Sequence, residues 1–295
     1  MKSREEGFLL LGSCLGNPER KPLTTAQLRT LAQRAAAMER PKEDRELTAK
    51  DLTSLGYGPE MAEIIMRLLG ETQLLRHYIY RSNQAGCIPV TRVSKDYPRA
   101  LRHRLCLDSP GVLWAKGDLS ILNRPAIGLV GSRDIERENA AFAAKVGREA
   151  ARQGYVLVSG NARGADRIAQ KACLDAGGQV ISVLADELSQ QSEKNNVLYL
   201  SEDGFDLPFT SIRALSRNRI IHALGEKTLV AQCGLAAGGT WSGTLRNLKE
   251  GWSPVFAFQD GSDASTQLAQ YGAALITMDE LDDLRALESQ TLQLF

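Results

Sequence analysis

The chain has 295 residues, 43% apolar and 24% charged, which is ordinary globular composition and enough length for one large or two unequal domains. Its 36 basic and 35 acidic residues leave a formal charge of +1, which excludes the bulk electrostatics of a strongly basic nucleic-acid binder, so any nucleic-acid site has to be local. Five scattered cysteines without a C-x-x-C arrangement (Cys14, Cys87, Cys106, Cys173 and Cys233) indicate neither a disulfide framework nor a zinc site and fit a reducing cytoplasm, and no apolar run reaches membrane-spanning length.

Residues 1–87 read as a helical domain. Phe8, Leu9, Leu10, Leu11, Gly12, Ser13 and Cys14 have the outline of a lipoprotein leader, but Glu5 and Glu6 spoil the positive start, so a first helix is the reading taken. Leu28, Leu31 and Ala35, then Met61, Ile64, Ile65, Leu68 and Leu69, recur at helical spacing, with Pro22, Pro41 and Pro59 as breaks. Gly56, Tyr57, Gly58 and Pro59 between two helices suit either a structural turn, the favoured reading, or a helix-hairpin-helix element of the kind found in SAM-like domains, whose amides approach a phosphate.

Residues 88–125, broken by Pro89, Pro98, Pro110 and Pro125, read as an extended connector with short strands. From residue 126 to 295 short apolar strands alternate with helices: strands at 127–130, 155–158, 180–184, 197–200, 228–231 and 255–258, helices at 136–153, 165–176, 214–224 and 241–250, then two final helical segments. Strands that are apolar throughout, joined by helices, specify a Rossmann-like, doubly wound α/β domain with a mainly parallel sheet covered on both faces.

Ligands of such sheets sit beyond the carboxyl ends of the strands. Four loops there are unusual. Gly131, Ser132 and Arg133 follow the first strand and offer close backbone approach, a hydroxyl and a forked guanidinium. Ser159, Gly160, Arg163, Gly164 and Asp166 make a glycine-containing turn that opens a helix, with Asp166 expected as a cap held by the local amides and Arg163. Arg217, Asn218 and Arg219 adjoin an apolar helix, and Gly238, Gly239 and Thr240 lead into another. Each loop alone is ordinary turn chemistry; four at one end of a sheet argue for an anion site.

The G-x-G-x-x-G fingerprint and the P-loop are both missing, so no cofactor is expected. His77, His103 and His222 lie in different regions and no triad or metal-ligand spacing is present, so catalytic and metal sites are not expected; His222 reads as a surface residue.

These loops resemble, in order, the motifs of the DNA-processing protein A family, also called Smf: a strand ending in Gly-Ser-Arg, a Ser-Gly-x-Ala-x-Gly-x-Asp turn, an Arg-Asn-Arg-Ile-Ile segment and a glycine-rich loop. Asp96, Tyr97, Pro98 and Leu101, then Pro110, Val112, Leu113, Lys116, Gly117 and Asp118, are similar to the family's lead into the domain, as are Gly272 and Ala273 near its end. The resemblance spans about residues 88 to 278. It implies single-stranded DNA held on the motif arginines and amides, a homodimer, and RecA recombinase as a partner in recombination or DNA uptake. The chain departs from the pattern at Gln170, where a histidine is common, at Gln232, where an acid is common, and at Leu215, where Phe-Pro is common. No winged-helix domain is expected after residue 278. The competing reading is a nucleotide-binding sensor or a phosphoribohydrolase-like enzyme on a related fold.

Overall fold

The computed structural model describes residues 3–37 and 47–288; the expected break at Pro41 and residues 289–295 of the expected last domain lie outside them. Among the described residues the chain begins with five helices, α1 (Ser3–Gly12), α2 (Thr25–Ala36), α3 (Ala49–Ser54), α4 (Pro59–Gly70) and α5 (Thr72–Gln84). Thr24 and Thr48 start α2 and α3 with reciprocal capping boxes to Gln27 and Asp51, so two orphan amides are satisfied at each helix start. Leu11, Leu28, Leu31, Leu52, Ile65 and Leu68 form a small core of their own.

That core is continuous with the main body through α1 and α5. Leu9, Leu10, Leu75 and Tyr78 belong to the same buried cluster as the sheet residues Trp114, Ile127 and Leu129. The Tyr78 ring meets Trp114 edge-on at 5.1 Å, and its hydroxyl donates to Asp206 at 2.7 Å. The leader-like run is therefore a packed helix, with Leu9 fully buried.

The body is one nine-stranded sheet: β1 (Ile88–Thr91), β2 (Val112–Lys116), β3 (Ala126–Val130), β4 (Val156–Ser159), β5 (Gln179–Leu184), β6 (Val197–Glu202), β7 (Lys227–Val230), β8 (Val255–Phe258) and β9 (Ala274–Ile276), in the order β1-β2-β6-β5-β4-β3-β7-β8-β9. β3 to β9 are parallel, while β2 pairs antiparallel with β6 on one side and with the edge strand β1 on the other. The stretch read as a connector thus supplies one edge of the sheet: prolines interrupt its backbone donors between the strands, but Val112, Leu113, Trp114, Ala115 and Lys116 are all buried. The two final helical segments are Asp263–Gln270 and a 3-10 turn at Asp279–Asp283; β9 lies between them, too short at three residues to show a period in sequence.

Helices α6 (Arg99–Arg104), α7 (Arg137–Arg152), α8 (Ala165–Asp175), α9 (Ser211–Leu224), α10 (Gly238–Glu250) and α11 (Asp263–Gln270) cover the sheet. α7 and α8 lie on one face with α1 and α5, burying Phe142, Val146 and Ala169 against Ile127 and Leu157. α6, α9, α10 and α11 lie on the other, where Leu101, Ile220, Ile221, Trp241 and Leu268 meet Val130, Val158 and Val230. His222, read as a surface residue, is fully buried between β7 and α10: it meets Thr228 Oγ1 at 3.3 Å and Asn247 Nδ2 at 3.2 Å, and burial pulls its pKa down to about 3. The helix that carries it is apolar all round at its C-terminal half, so its flanking arginines are no guide to exposure. No helix among the described residues is long and apolar enough to cross a membrane.

Candidate nucleic-acid interface

The strand order reverses between β3 and β7. From β3 the chain winds outward through β4, β5 and β6; it then returns along α9 to place β7 on the opposite side of β3 and continues to β8 and β9. The loops after β3 and β7 therefore diverge, and a crevice opens between them at the carboxyl ends of the strands, the place where open parallel sheets bind ligands. Its volume is about 700 Å3. Ser132, Arg133 and Asp134 line it after β3, Asp166 at the start of α8, Phe209, Leu215, Arg217 and Asn218 from α9 and the loop before it, and residues 236–242 at the start of α10.

Arg217 forms the floor. It is 7% exposed, and its Nη2 lies 3.8 Å from Asp166 Oδ2, while Nε and Nη1 have no hydrogen-bond partner. The guanidinium lies over Gly160, where an added Cβ would sit 1.3 Å from Nη1, so this glycine is required by the arginine packed on it. Burial pushes the Asp166 carboxyl up, against the pull of Arg217 and of the Ala162 amide that it accepts at 3.1 Å; burial also draws the Arg217 guanidinium down. The partner of Asp166 is thus Arg217 and not Arg163, which is exposed and pairs with Asp134 at the mouth.

The wall is the first turn of α10. Its N-cap, Ala237, makes no side-chain cap bond, and residues of this first turn line the crevice, where a helix start adds positive potential. Thr240 and Asn218, expected as ligands, also build this wall: Thr240 Oγ1 donates to Gly131 O at 3.0 Å, tying α10 to β3, and Asn218 Nδ2 donates to Gly239 O at 3.0 Å. Gly131 borders the crevice, but its lack of a side chain serves packing, since a Cβ there would lie 2.4 Å from Ala165 Cβ at the head of α8.

Four expected residues fall outside the cavity lining. Ser159 is fully buried at the end of β4, and Gly160 lies beneath Arg217. Arg163 is at the rim. Arg219 points elsewhere: it forms an ion pair with Glu202 and donates to Asp108 O at 3.1 Å. Two residues along a helix turn the side chain through about 200°, so Arg217 and Arg219 cannot share one pocket. Gln170 packs inward toward Ser182 Oγ at 3.4 Å, and Gln232 accepts the Glu136 amide at 2.8 Å, shaping the loop after β3.

Sequence reasoning missed Arg213, Asp134 and an apolar rim. Arg213 donates through Nη1 to the carbonyls of Ala185, Leu207 and Pro208 at 2.7 to 2.8 Å and through Nη2 to Ser201 Oγ at 2.8 Å, which fixes the loop that presents Phe209. Phe209, Ile212, Leu215 and Leu235 are exposed apolar side chains at or beside the mouth, and the Arg133 guanidinium sits 5.8 Å from the Phe209 ring centre. The spacing of 209, 212 and 215 is visible in the sequence; its exposure is not.

Residues 89–284 match the family described as DNA recombination-mediator protein A. The chain is 31% identical over 214 residues to the DNA processing protein DprA of Bacillus subtilis, covering 67% of this chain and 70% of that one. It is 34% identical over 185 residues to DprA of Streptococcus pneumoniae, covering 58% of this chain and 64% of that one, and 30% identical over 189 residues to the Smf protein of Escherichia coli, of whose length it spans half. Among solved structures, DprA of Streptococcus pneumoniae superposes with a TM-score of 0.68 at 27% identity, covering 86% of this chain and 90% of that one. DprA of Helicobacter pylori, described for its single-stranded DNA binding mode, shares the fold with a TM-score of 0.55 at 24% identity, covering 66% and 92%. A matched region that runs from β1 through the last turn of the described body, together with relatives above 30% identity, places the chain in the DNA recombination-mediator protein A family, that of the DprA and Smf proteins.

Proposed function

We propose that this chain binds single-stranded DNA in the crevice between β3 and β7 and does so without catalysing a reaction. The observation that carries the reading is Arg217, a buried guanidinium that lines an open crevice beside the uncapped start of α10. Guanidinium groups and helix amides recognise a phosphate without reading sequence, and Arg133 at the mouth adds a second cation. A duplex keeps its bases stacked inside; a single strand can lay bases on the apolar rim while a phosphate enters the crevice.

The nucleotide-cleaving alternative gains nothing from the cavity. Its lining carboxylates, Asp134 and Asp166, are each paired with an arginine, and no histidine lines it. The Helicobacter pylori neighbour, described for its single-stranded DNA binding mode, supports the same class of ligand. Action as a homodimer in the cytoplasm, with RecA recombinase as the protein receiving the strand, belongs to this proposal as what family membership suggests.

Fluorescence anisotropy with a labelled oligo-dT tests it. Unlabelled single strand displaces the label; duplex of the same length and nucleoside triphosphates do not. Equal displacement by duplex or by a triphosphate refutes the reading.

A further inference from the structure

The groups lining the crevice balance almost to neutrality. Arg133 and Arg217 are the lining cations, Asp134 and Asp166 the lining anions, and Arg163 at the rim engages Asp134. Asp186, beyond β5, also acts on the Arg217 guanidinium. The start of α10 contributes roughly half a positive charge. Arg217 is more than nine-tenths buried, so little water shields its charge from Asp166 or from a ligand in the crevice.

A lining this close to neutral suits a ligand that is polar but only singly charged. We propose that the crevice selects the monoanionic phosphodiester of an internal strand linkage over the dianionic phosphate of a chain end or free nucleotide, and that Asp166, acting through Arg217, is the positioning residue that enforces the choice. This rests on the strand-binding reading above. The cost of withdrawing an ion from water rises with the square of its charge, so a dianion needs a second cation within reach. Behind Arg217 stands a carboxylate instead, 3.8 Å from the guanidinium. An anion against the crevice face of Arg217 has Asp166 close to the same guanidinium; at a separation of about 7 Å and an effective dielectric of about 20, each added negative charge loses roughly 50-fold in affinity to that repulsion.

Two ligands of nearly the same size separate the outcomes. Thymidine 5′-monophosphate is largely dianionic at pH 8, and its methyl ester is a monoanion. In competition against labelled oligo-dT on the full chain, the methyl ester displaces the strand at a concentration at least about tenfold lower than the monophosphate does. Asp166→Asn, whose amide oxygen still accepts the Ala162 amide, strengthens the monophosphate more than the ester and narrows the ratio; circular dichroism and a thermal melt confirm its fold. A role for Asp166 in folding alone moves both ligands together. Equal competition in the wild-type chain, preference for the monophosphate, or displacement by neither overturns the proposal, and because this comparison uses the wild-type chain it stands even if the variant does not fold. Failure of the labelled strand to bind refutes the strand-binding reading instead, and the selectivity is then read by saturation-transfer NMR on the same two ligands.

Discussion

Replacing Gly160 by alanine isolates the arrangement on which the floor of the crevice depends. The backbone accepts the change, because Gly160 is not among the positive-φ residues, and at such a site alanine is neutral or stabilises by about 0.4–1 kcal/mol. The new Cβ would lie 1.3, 2.0 and 2.1 Å from Nη1, Cζ and Nη2 of Arg217, so the guanidinium must leave its place. Its partner Asp166 is then buried without a cation. Protonation limits that penalty: for a carboxyl of ordinary pKa 3.8, neutralisation at pH 7 costs 1.36 kcal/mol for each of the 3.2 units between them, about 4 kcal/mol. We expect a stability loss of roughly 2–4 kcal/mol at pH 7, with weakened strand binding. The sign with pH follows. In the variant the folded state holds a proton on Asp166 that the unfolded state releases above pH 3.8, so the deficit grows as pH rises and shrinks toward pH 4. Urea unfolding of Gly160→Ala, Arg217→Met and the double variant measures this. With Arg217 already gone the alanine meets no obstacle, and a coupling of at least about 1 kcal/mol is expected. Additivity of the two substitutions to within about 0.5 kcal/mol would refute the packing of Arg217 on Gly160.

Three further outcomes follow from the same geometry. Arg133→Ala lowers affinity for single strands and flattens the log-log salt dependence by about 0.7, whereas Arg219→Ala, which removes the partner of Glu202, lowers stability and leaves the salt slope unchanged; a changed slope in the second variant would place Arg219 in the site after all. His222, with its pKa lowered by burial to about 3 from 6.5, contributes stability that is fully present above pH 6.5 and is lost as pH falls toward 3, so lowering the pH from 6.5 to 5 costs about 2 kcal/mol more in the wild-type chain than in His222→Gln, as read from urea midpoints. Lys227 donates to the carbonyls of Leu284, Arg285 and Leu287 at 2.8, 2.9 and 2.6 Å; Lys227→Met is expected to cost about 1–3 kcal/mol and to speed amide hydrogen exchange between residues 279 and 288, and unchanged exchange there would show that apolar packing alone holds the segment.

The strand ends were legible because a buried parallel strand must be short and apolar, and the residue after it must turn. The expected strand 127–130 falls within Ala126–Val130, and 255–258 coincides with Val255–Phe258. Helix starts were less so: α9, capped by Thr210, begins at Ser211, three residues before its expected start, because Ile212 and Leu215 face outward and break the apolar pattern. β1 and β2 were hidden by the prolines around them, although Trp114 is as buried as any residue in the sheet. Within the site, sequence marked the segments but not the direction of each side chain. Arg217 and Arg219 are equivalent as letters and opposite in space, and His222 shows the same indifference of an apolar helix to its polar passengers.

The glycines make the distinction sharper. A glycine beside a phosphate loop invites the reading that bound ligand needs the space, yet at Gly131 the space is taken by Ala165 and at Gly160 by Arg217. Both choices serve the anion site at one remove: the first lets α8 pack close enough to bring Asp166 to the crevice, and the second lets an arginine lie flat beneath it. With a chain charge of only +1, affinity for a polyanion cannot come from the field of the whole molecule. It has to come from local groups, Arg133 at the mouth and the buried Arg217 on the floor, and keeping Arg217 charged in a buried place calls for a carboxylate such as Asp166, within 4 Å. The carboxylate that keeps Arg217 in place is then the same group that limits how much negative charge the crevice accepts, so retention of the arginine and selection of the ligand are two consequences of one ion pair.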